Sequence, residues 1–252
     1  MTSEISDLVT RDPGTLNRDD IFEQLPENRV GRADLGYMNE VLVDGFGNKE
    51  SADMNARLEL SFARYFGVPY AISCNSGSGT MLACLLAGGV GPGDEVIVPT
   101  VTMAATAFVV LQCGAVPVFV DCDRETFTMD PVDIRRKVTE FTRAIIPVNI
   151  FGLPADFDAI TEIANEYNLL IIEDDAQCFL AFYKQQLVGT IGDAASFSFQ
   201  GSKHMTSGGD GGILITANEK LASGSRRGAI QGYSSLGAKP GSTMIPRDMR
   251  QD

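Results

Sequence analysis

Hydrophobic residues along this chain come in short blocks separated by polar stretches. Seven blocks rich in β-branched and aromatic residues fall at 70–74, 95–99, 116–120, 144–148, 169–172, 195–199 and 212–216. Each is nearly continuously apolar instead of alternating, the pattern of strands covered on both faces. Apolar positions recur at helical spacing over 80–87, 104–113, 133–140 and 156–167. A further amphipathic helix is predicted over 51–66, with Met54, Leu58, Phe62 and Tyr65 near one face. Asp130-Pro131 marks a helix start, because the missing proline amide has no partner to lose in the first turn. Gly91-Pro-Gly-Asp94 is a turn signal directly before a strand. This alternation predicts an α/β fold, a mostly parallel mixed sheet sandwiched by helices. Residues 1–50 are polar and weakly periodic and are expected to form an N-terminal arm or segment. The domain is expected over 51–228, and 229–252 turn Gly/Ser-rich and hold no second core.

Charge narrows the partners. The 252 residues include 33 acidic against 20 basic, a formal net charge of −13. Such a chain lacks the basic footprint that a phosphate backbone requires, so no nucleic-acid role is expected. No stretch approaches membrane-spanning length and the N-terminus has no signal-like pattern, so no membrane role and a soluble, cytoplasmic protein are expected. Cys74, Cys84, Cys113, Cys122 and Cys178 are scattered without a Cys-x-x-Cys pair, and His204 is the single histidine. This argues for reduced thiols and against a metal centre. Chemistry must then come from lysine, carboxylates or an organic cofactor.

Three segments carry candidate chemistry, each at the end of a predicted strand, where ligands sit in open parallel sheets. Cys74-Asn-Ser-Gly-Ser-Gly-Thr80 joins a strand to a helix, whose first amides beside Ser76, Ser78 and Thr80 suit a phosphate. An ordinary Gly/Ser turn with a helix cap explains it equally well. Leu169-Leu-Ile-Ile-Glu-Asp-Asp-Ala-Gln177 ends a strand in three carboxylates. They call for a cationic partner, such as a pyridinium nitrogen, or else cap the next helix or meet solvent. Ser196-Phe-Ser-Phe-Gln-Gly-Ser-Lys-His-Met-Thr-Ser-Gly-Gly-Asp-Gly-Gly212 places Lys203 between a buried strand and a glycine-rich turn. Lysine forms Schiff bases, and this one stands apart from other cations in Phe/Ser/Gly sequence, unlike an ordinary solvated lysine.

In order, these segments resemble the DegT-type (DegT/DnrJ/StrS) sugar aminotransferases, pyridoxal 5'-phosphate (PLP) enzymes of fold type I. Gly91-Pro-Gly-Asp-Glu-Val-Ile-Val-Pro99, Gly114-Ala-Val-Pro-Val-Phe-Val-Asp121 and Ile146-Pro-Val-Asn-Ile-Phe-Gly-Leu-Pro-Ala-Asp156 add to the likeness, which runs from about Glu50 to Thr216. The resemblance implies that Lys203 forms the Schiff base with PLP and moves the proton. It implies Asp174 on the pyridinium nitrogen, Gln177 at the ring face or phenolic oxygen, and Gly77, Ser78 and Ser198 on the phosphate. The implied reaction passes an amino group from an amino acid, usually L-glutamate in this family, to a keto-sugar, typically nucleotide-linked, within amino-sugar or polysaccharide biosynthesis. A homodimer is implied too.

This sequence departs from the family pattern in places. Met103 stands where many members place an aromatic residue against the ring, and Asp175 replaces a small residue. The 207–212 turn is one glycine longer, and the family's C-terminal small domain is expected to be missing. A remnant that binds without turnover is therefore an alternative. Sugar dehydratases of the family form another, but they carry histidine at the position of Lys203.

Overall fold

The computed structural model describes residues 31–44 and 54–229. These fall into two units parted at Met54/Asn55. The first holds helix α1, Arg32–Asp44, within the segment expected to be a polar arm. Asp34 reaches back to accept from the Gly31 amide at 2.7 Å, one half of a capping box, at the start of a helix without an apolar stripe. Tyr37, Met38, Leu42 and Val43 on it are all exposed, so no buried face announces the helix in the sequence.

The second unit contains, in chain order, α2 (Met54–Phe66), β1 (Tyr70–Cys74), α3 (Gly77–Ala87), β2 (Glu95–Pro99), α4 (Ala104–Gln112), β3 (Val116–Val120) and α5 (Pro131–Lys137). There follow β4 (Thr142–Ile145), a 3-10 turn (Ile150–Gly152), α6 (Phe157–Tyr167), β5 (Leu170–Asp174), the hairpin β6 (Phe182–Tyr183) and β7 (Gln186–Leu187), β8 (Ala194–Ser198), β9 (Gly212–Thr216) and α7 (Glu219–Ala229). Seven strands form one mixed sheet in the order β1-β9-β8-β5-β4-β2-β3. Only β9 runs antiparallel to its neighbours. The α/β prediction and the mostly parallel sheet are both met.

The apolar strands hide a strict two-face alternation. Ile72, Val96, Val98, Ala144, Ile172, Ala194 and Leu214 join one core with residues of α3, α4 and α7. Their chain neighbours Ile97, Ile145 and Ile171 face α5 and α6, while Ala195, Phe197, Ile213 and Ile215 face α2. Even-numbered residues of β5, β8 and β9 therefore look toward α3, and odd-numbered ones away. This parity decides where each candidate residue points.

Several expected boundaries move. The strand expected at 144–148 stops at Ile145, because Pro147 has no amide for the ladder, though Ile146 still donates to the Ile97 carbonyl at 2.9 Å. The expected face of the 51–66 helix is also corrected. Within α2, Glu59, Phe62, Ala63 and Phe66 are buried, whereas Tyr65 is 63% exposed. Glu59 goes inside because Arg226 of α7 meets it with two hydrogen bonds of 2.7 and 2.6 Å, and Ser73 of β1 adds two more. Asp130 caps α5 through the Val132 amide with Pro131 in the first turn, as the sequence indicated.

Candidate active site

The carboxyl ends of β1, β5 and β8 lie side by side with the start of β9 between them, since β9 is reversed. The three candidate segments leave the sheet along this one edge. At the end of β1, the Ser76 side chain caps α3 by accepting from the Gly79 amide at 2.9 Å, and the Ser76 carbonyl takes the Thr80 amide. The amides of Gly77 and Ser78 stay at the helix mouth, where the helix dipole favours an anion.

Glycine is required there by contact. A Cβ on Gly77 would lie 2.9 Å from Cβ of Ser198, and one on Gly212 would lie 2.6 Å from the Gly77 nitrogen. Three strand ends thus converge on one small cradle. Two hydroxyls lock it from below: Thr80 Oγ1 and Ser196 Oγ are 2.5 Å apart and lie 2.6 and 3.1 Å from the Gly77 carbonyl, so that one donates to the carbonyl and the other to its fellow hydroxyl. Ser78 and Ser198 border the mouth and are half-buried.

Asp174 ends β5 on the even face, toward α3 and α4, and is buried. Its Oδ2 accepts from Thr106 in the first turn of α4 at 2.9 Å, and Oδ1 accepts from the Ala176 amide at 3.2 Å. Thr102 extends the chain, its hydroxyl 2.8 Å from that of Thr106. Burial pushes the Asp174 carboxyl up. The Ala176 amide, the Thr106 hydroxyl and the positive charge of Lys203 pull it back down. Lys203 therefore lies within electrostatic reach of Asp174. It is half-buried, on a turn whose backbone is closed by its amide on the Gln200 carbonyl at 2.8 Å.

The other candidates stand around this centre. Gln177 is half-buried, and its Oε1 accepts from the Phe151 amide at 3.3 Å. Met103 is the residue before α4, one turn from Thr106, and is 58% exposed. Thr102, Thr106 and Asn149 were not singled out in the sequence. The spacing of Thr102 and Thr106, one helical turn apart at a strand end, is the signal that finds the first two.

The arrangement offers an anion mouth, a buried carboxylate and an amine within its electrostatic reach. These fit the three functional groups of PLP: phosphate, ring nitrogen and aldehyde. Comparisons with known proteins lead the same way. GDP-perosamine synthase of Caulobacter vibrioides is 46% identical over 164 residues, covering 65% of this chain and 44% of that protein. The UDP-2-acetamido-2-deoxy-3-oxo-D-glucuronate aminotransferase of Pseudomonas aeruginosa is 43% identical over 175 residues, 69% of this chain and 49% of that one. The crystal structure of S. venezuelae DesV in complex with a ketimine intermediate superposes with a TM-score of 0.75 at 35% identity, covering 80% of this chain and 54% of that one. This chain spans about half the length of such relatives. Residues 28–243 match the family described as DegT/DnrJ/EryC1/StrS aminotransferases, and to that family the chain belongs.

Proposed function

We propose that this chain provides the PLP-binding part of an aminotransferase that moves an amino group from an amino acid, L-glutamate in the first instance, to a nucleotide-linked keto-sugar. The observation that carries the reading is the convergence of buried Asp174, the turn bearing half-buried Lys203 and the glycine cradle at the α3 mouth on one sheet edge. The named relatives are nucleotide-sugar aminotransferases, which supports the substrate class.

PLP supplies an aldehyde that condenses with amines and a ring that accepts electrons when its nitrogen is protonated. The residues of this chain do the rest. Gly77 and Ser78 bind the phosphate through amides and hydroxyl, joined by Ser198. Asp174 holds a proton on the ring nitrogen, and Thr106 fixes the carboxylate that does so. Lys203 would hold the cofactor and would hold or move a proton at its Nζ. Gln177 would lie at the ring face or the phenolic oxygen, and Met103 would cover one face with a polarisable thioether where many relatives place an aromatic.

A homodimer belongs to the same reading. Phe108 and Leu111 of α4 are 59% and 53% exposed, and a helix apolar all round is normally covered on every side. Sedimentation that stays monomeric at tens of micromolar (about the range used for such assays) goes against it.

The deciding experiment mixes the purified chain with PLP. The visible band of lysine-bound PLP should form and should vanish in Lys203→Ala, and L-glutamate should convert the cofactor to its amine form. A band that persists in Lys203→Ala rejects Lys203. A band that L-glutamate leaves untouched rejects amino-group transfer by this chain.

A further inference from the structure

The even-face carboxylate of β5 is accounted for by the cofactor reading. Its two odd-numbered neighbours are not. Glu173 and Asp175 point to the opposite side of the sheet, and both are buried. They crowd on the same residue. The Gly189 amide donates to Glu173 Oε2 at 2.8 Å, and a Cβ on Gly189 would stand 3.1 Å from Asp175 Oδ2.

Their hydrogen bonding is unequal. Glu173 accepts three backbone amides, from Gly189, Ile191 and Gly192, at 2.7–2.8 Å. Asp175 receives one donor, Asn149 Nδ2 on Oδ1 at 2.5 Å, and its buried Oδ2 has no hydrogen-bond partner among the described residues. A buried carboxylate oxygen without a donor is a poor place for charge, and protonation removes that charge.

Asn149 connects this site to the cofactor side. It is wholly buried, and its Oδ1 accepts from the Ala155 amide at 2.8 Å, closing the 149–155 turn. Its own amide donates to the Asp174 carbonyl at 3.1 Å. Inside the turn, Phe151 adopts a left-handed backbone, with φ of 54°, and presents its amide to Gln177. A non-glycine residue holds that conformation only when its surroundings impose it.

The geometry points to Asp175 and Asn149 as a buried latch that fixes the 149–155 turn and, through the Phe151 amide, positions Gln177. The role of Gln177 at the cofactor rests on the PLP reading; the latch itself does not. Asp175 serves in this latch as the neutral acid. Burial and the Glu173 charge push its carboxyl well up, with a smaller contribution from Asp174, and only the Asn149 amide opposes them. Cys178 on the following turn is itself raised to about 12 and brings no charge. Burial pushes the Glu173 carboxyl up too, but three backbone amides pull it back down, which makes it the better seat for the charge of the pair.

The sign follows from linkage. A carboxyl raised in the folded state stabilises most below its unfolded value and loses that contribution as pH rises toward its folded value. Melting of the full chain without cofactor should therefore fall between a pH near the ordinary carboxylate value and a clearly more alkaline one. Asp175→Asn, which mimics the neutral acid and can still accept from Asn149, should melt like the wild type at the lower pH and lose most of that fall. Asp175→Ala, which strands the Asn149 amide, should melt lower at both and bind PLP roughly fivefold more weakly or worse, the loss of about one hydrogen bond. An Asp175→Asn variant that keeps the full pH slope overturns the neutral acid. An Asp175→Ala variant that melts like the wild type overturns the latch, and one that binds PLP as tightly overturns the positioning of Gln177. A wild-type chain that binds no PLP at all sinks the proposed function instead, and the melting comparison still decides the latch.

Discussion

At the scale of single residues, the site is built by what stands one step behind the chemistry. Thr106 is the strongest case: its hydroxyl is a buried donor to Asp174, and Thr102 orients it in turn. Thr106→Val keeps the shape and removes the donor. The carboxyl should then rise further, and the PLP dissociation constant should increase about tenfold, in line with about 1.5 kcal/mol for a hydrogen bond to a charged group. Thr106→Ser should restore most of the affinity. Spectrophotometric titration of both variants checks this, and equal affinities for Val and Ser remove Thr106 from the site. Lys203, Asp174, Gly77 and Gln177 came from the family resemblance, since residue type alone does not separate Asp174 from its two acidic neighbours, and the fold brings their segments to one sheet edge. Asn149 was not, since an asparagine after Pro-Val carries no pattern, and its partner Asp175 reads in sequence as one more charge in a cluster.

Among the elements, the sheet was legible because burial on both faces leaves unbroken apolar blocks, and β1, β2, β3 and β9 occupy the predicted residues. What polar chemistry dictates was not. Periodicity of apolar residues placed Phe62 and Leu58 of α2 toward the core correctly but not Tyr65, and it could not find Glu59, whose carboxylate lies 1% exposed against Arg226 on α7. The same pair explains why a Gly/Ser-containing, weakly apolar segment forms α7 at all. Removing one partner leaves the other charge buried and alone, which costs about 3–5 kcal/mol. Glu59→Gln should therefore lower the denaturation midpoint strongly, and Glu59→Leu combined with Arg226→Met should recover much of the loss, because two apolar groups leave nothing unpaired. A double variant as unstable as the single one shows that packing around the pair, rather than its charge, holds α7 on β1 and α2.

For the molecule as a whole, strand direction and side-chain parity combine to separate two groups of carboxylates that are adjacent in sequence. Asp174 faces the lysine and the helix mouth, while Glu173 and Asp175 face the hairpin side, so one strand end serves a ligand and a structural lock without mixing them. Their pH responses should separate as well. Burial raises Asp174 in the ligand-free chain, so it carries charge more fully as pH increases. A ligand that needs the ionised form, such as a protonated ring nitrogen, must then bind more tightly toward higher pH. The free protein, by contrast, loses the contribution of Asp175 over the same interval. A ligand at 100 times its dissociation constant adds about 2.7 kcal/mol to stability, which for a domain of this size is roughly 5–10 °C in melting temperature. The melting increment produced by a fixed excess of PLP should accordingly grow as pH rises above the ordinary carboxylate range, against a falling baseline, and should shrink in Asp174→Asn, whose amide cannot ionise. An increment that is flat with pH in the wild type, or undiminished in Asp174→Asn, means that the buried carboxylate does not meet a cation and that the ring nitrogen lies elsewhere.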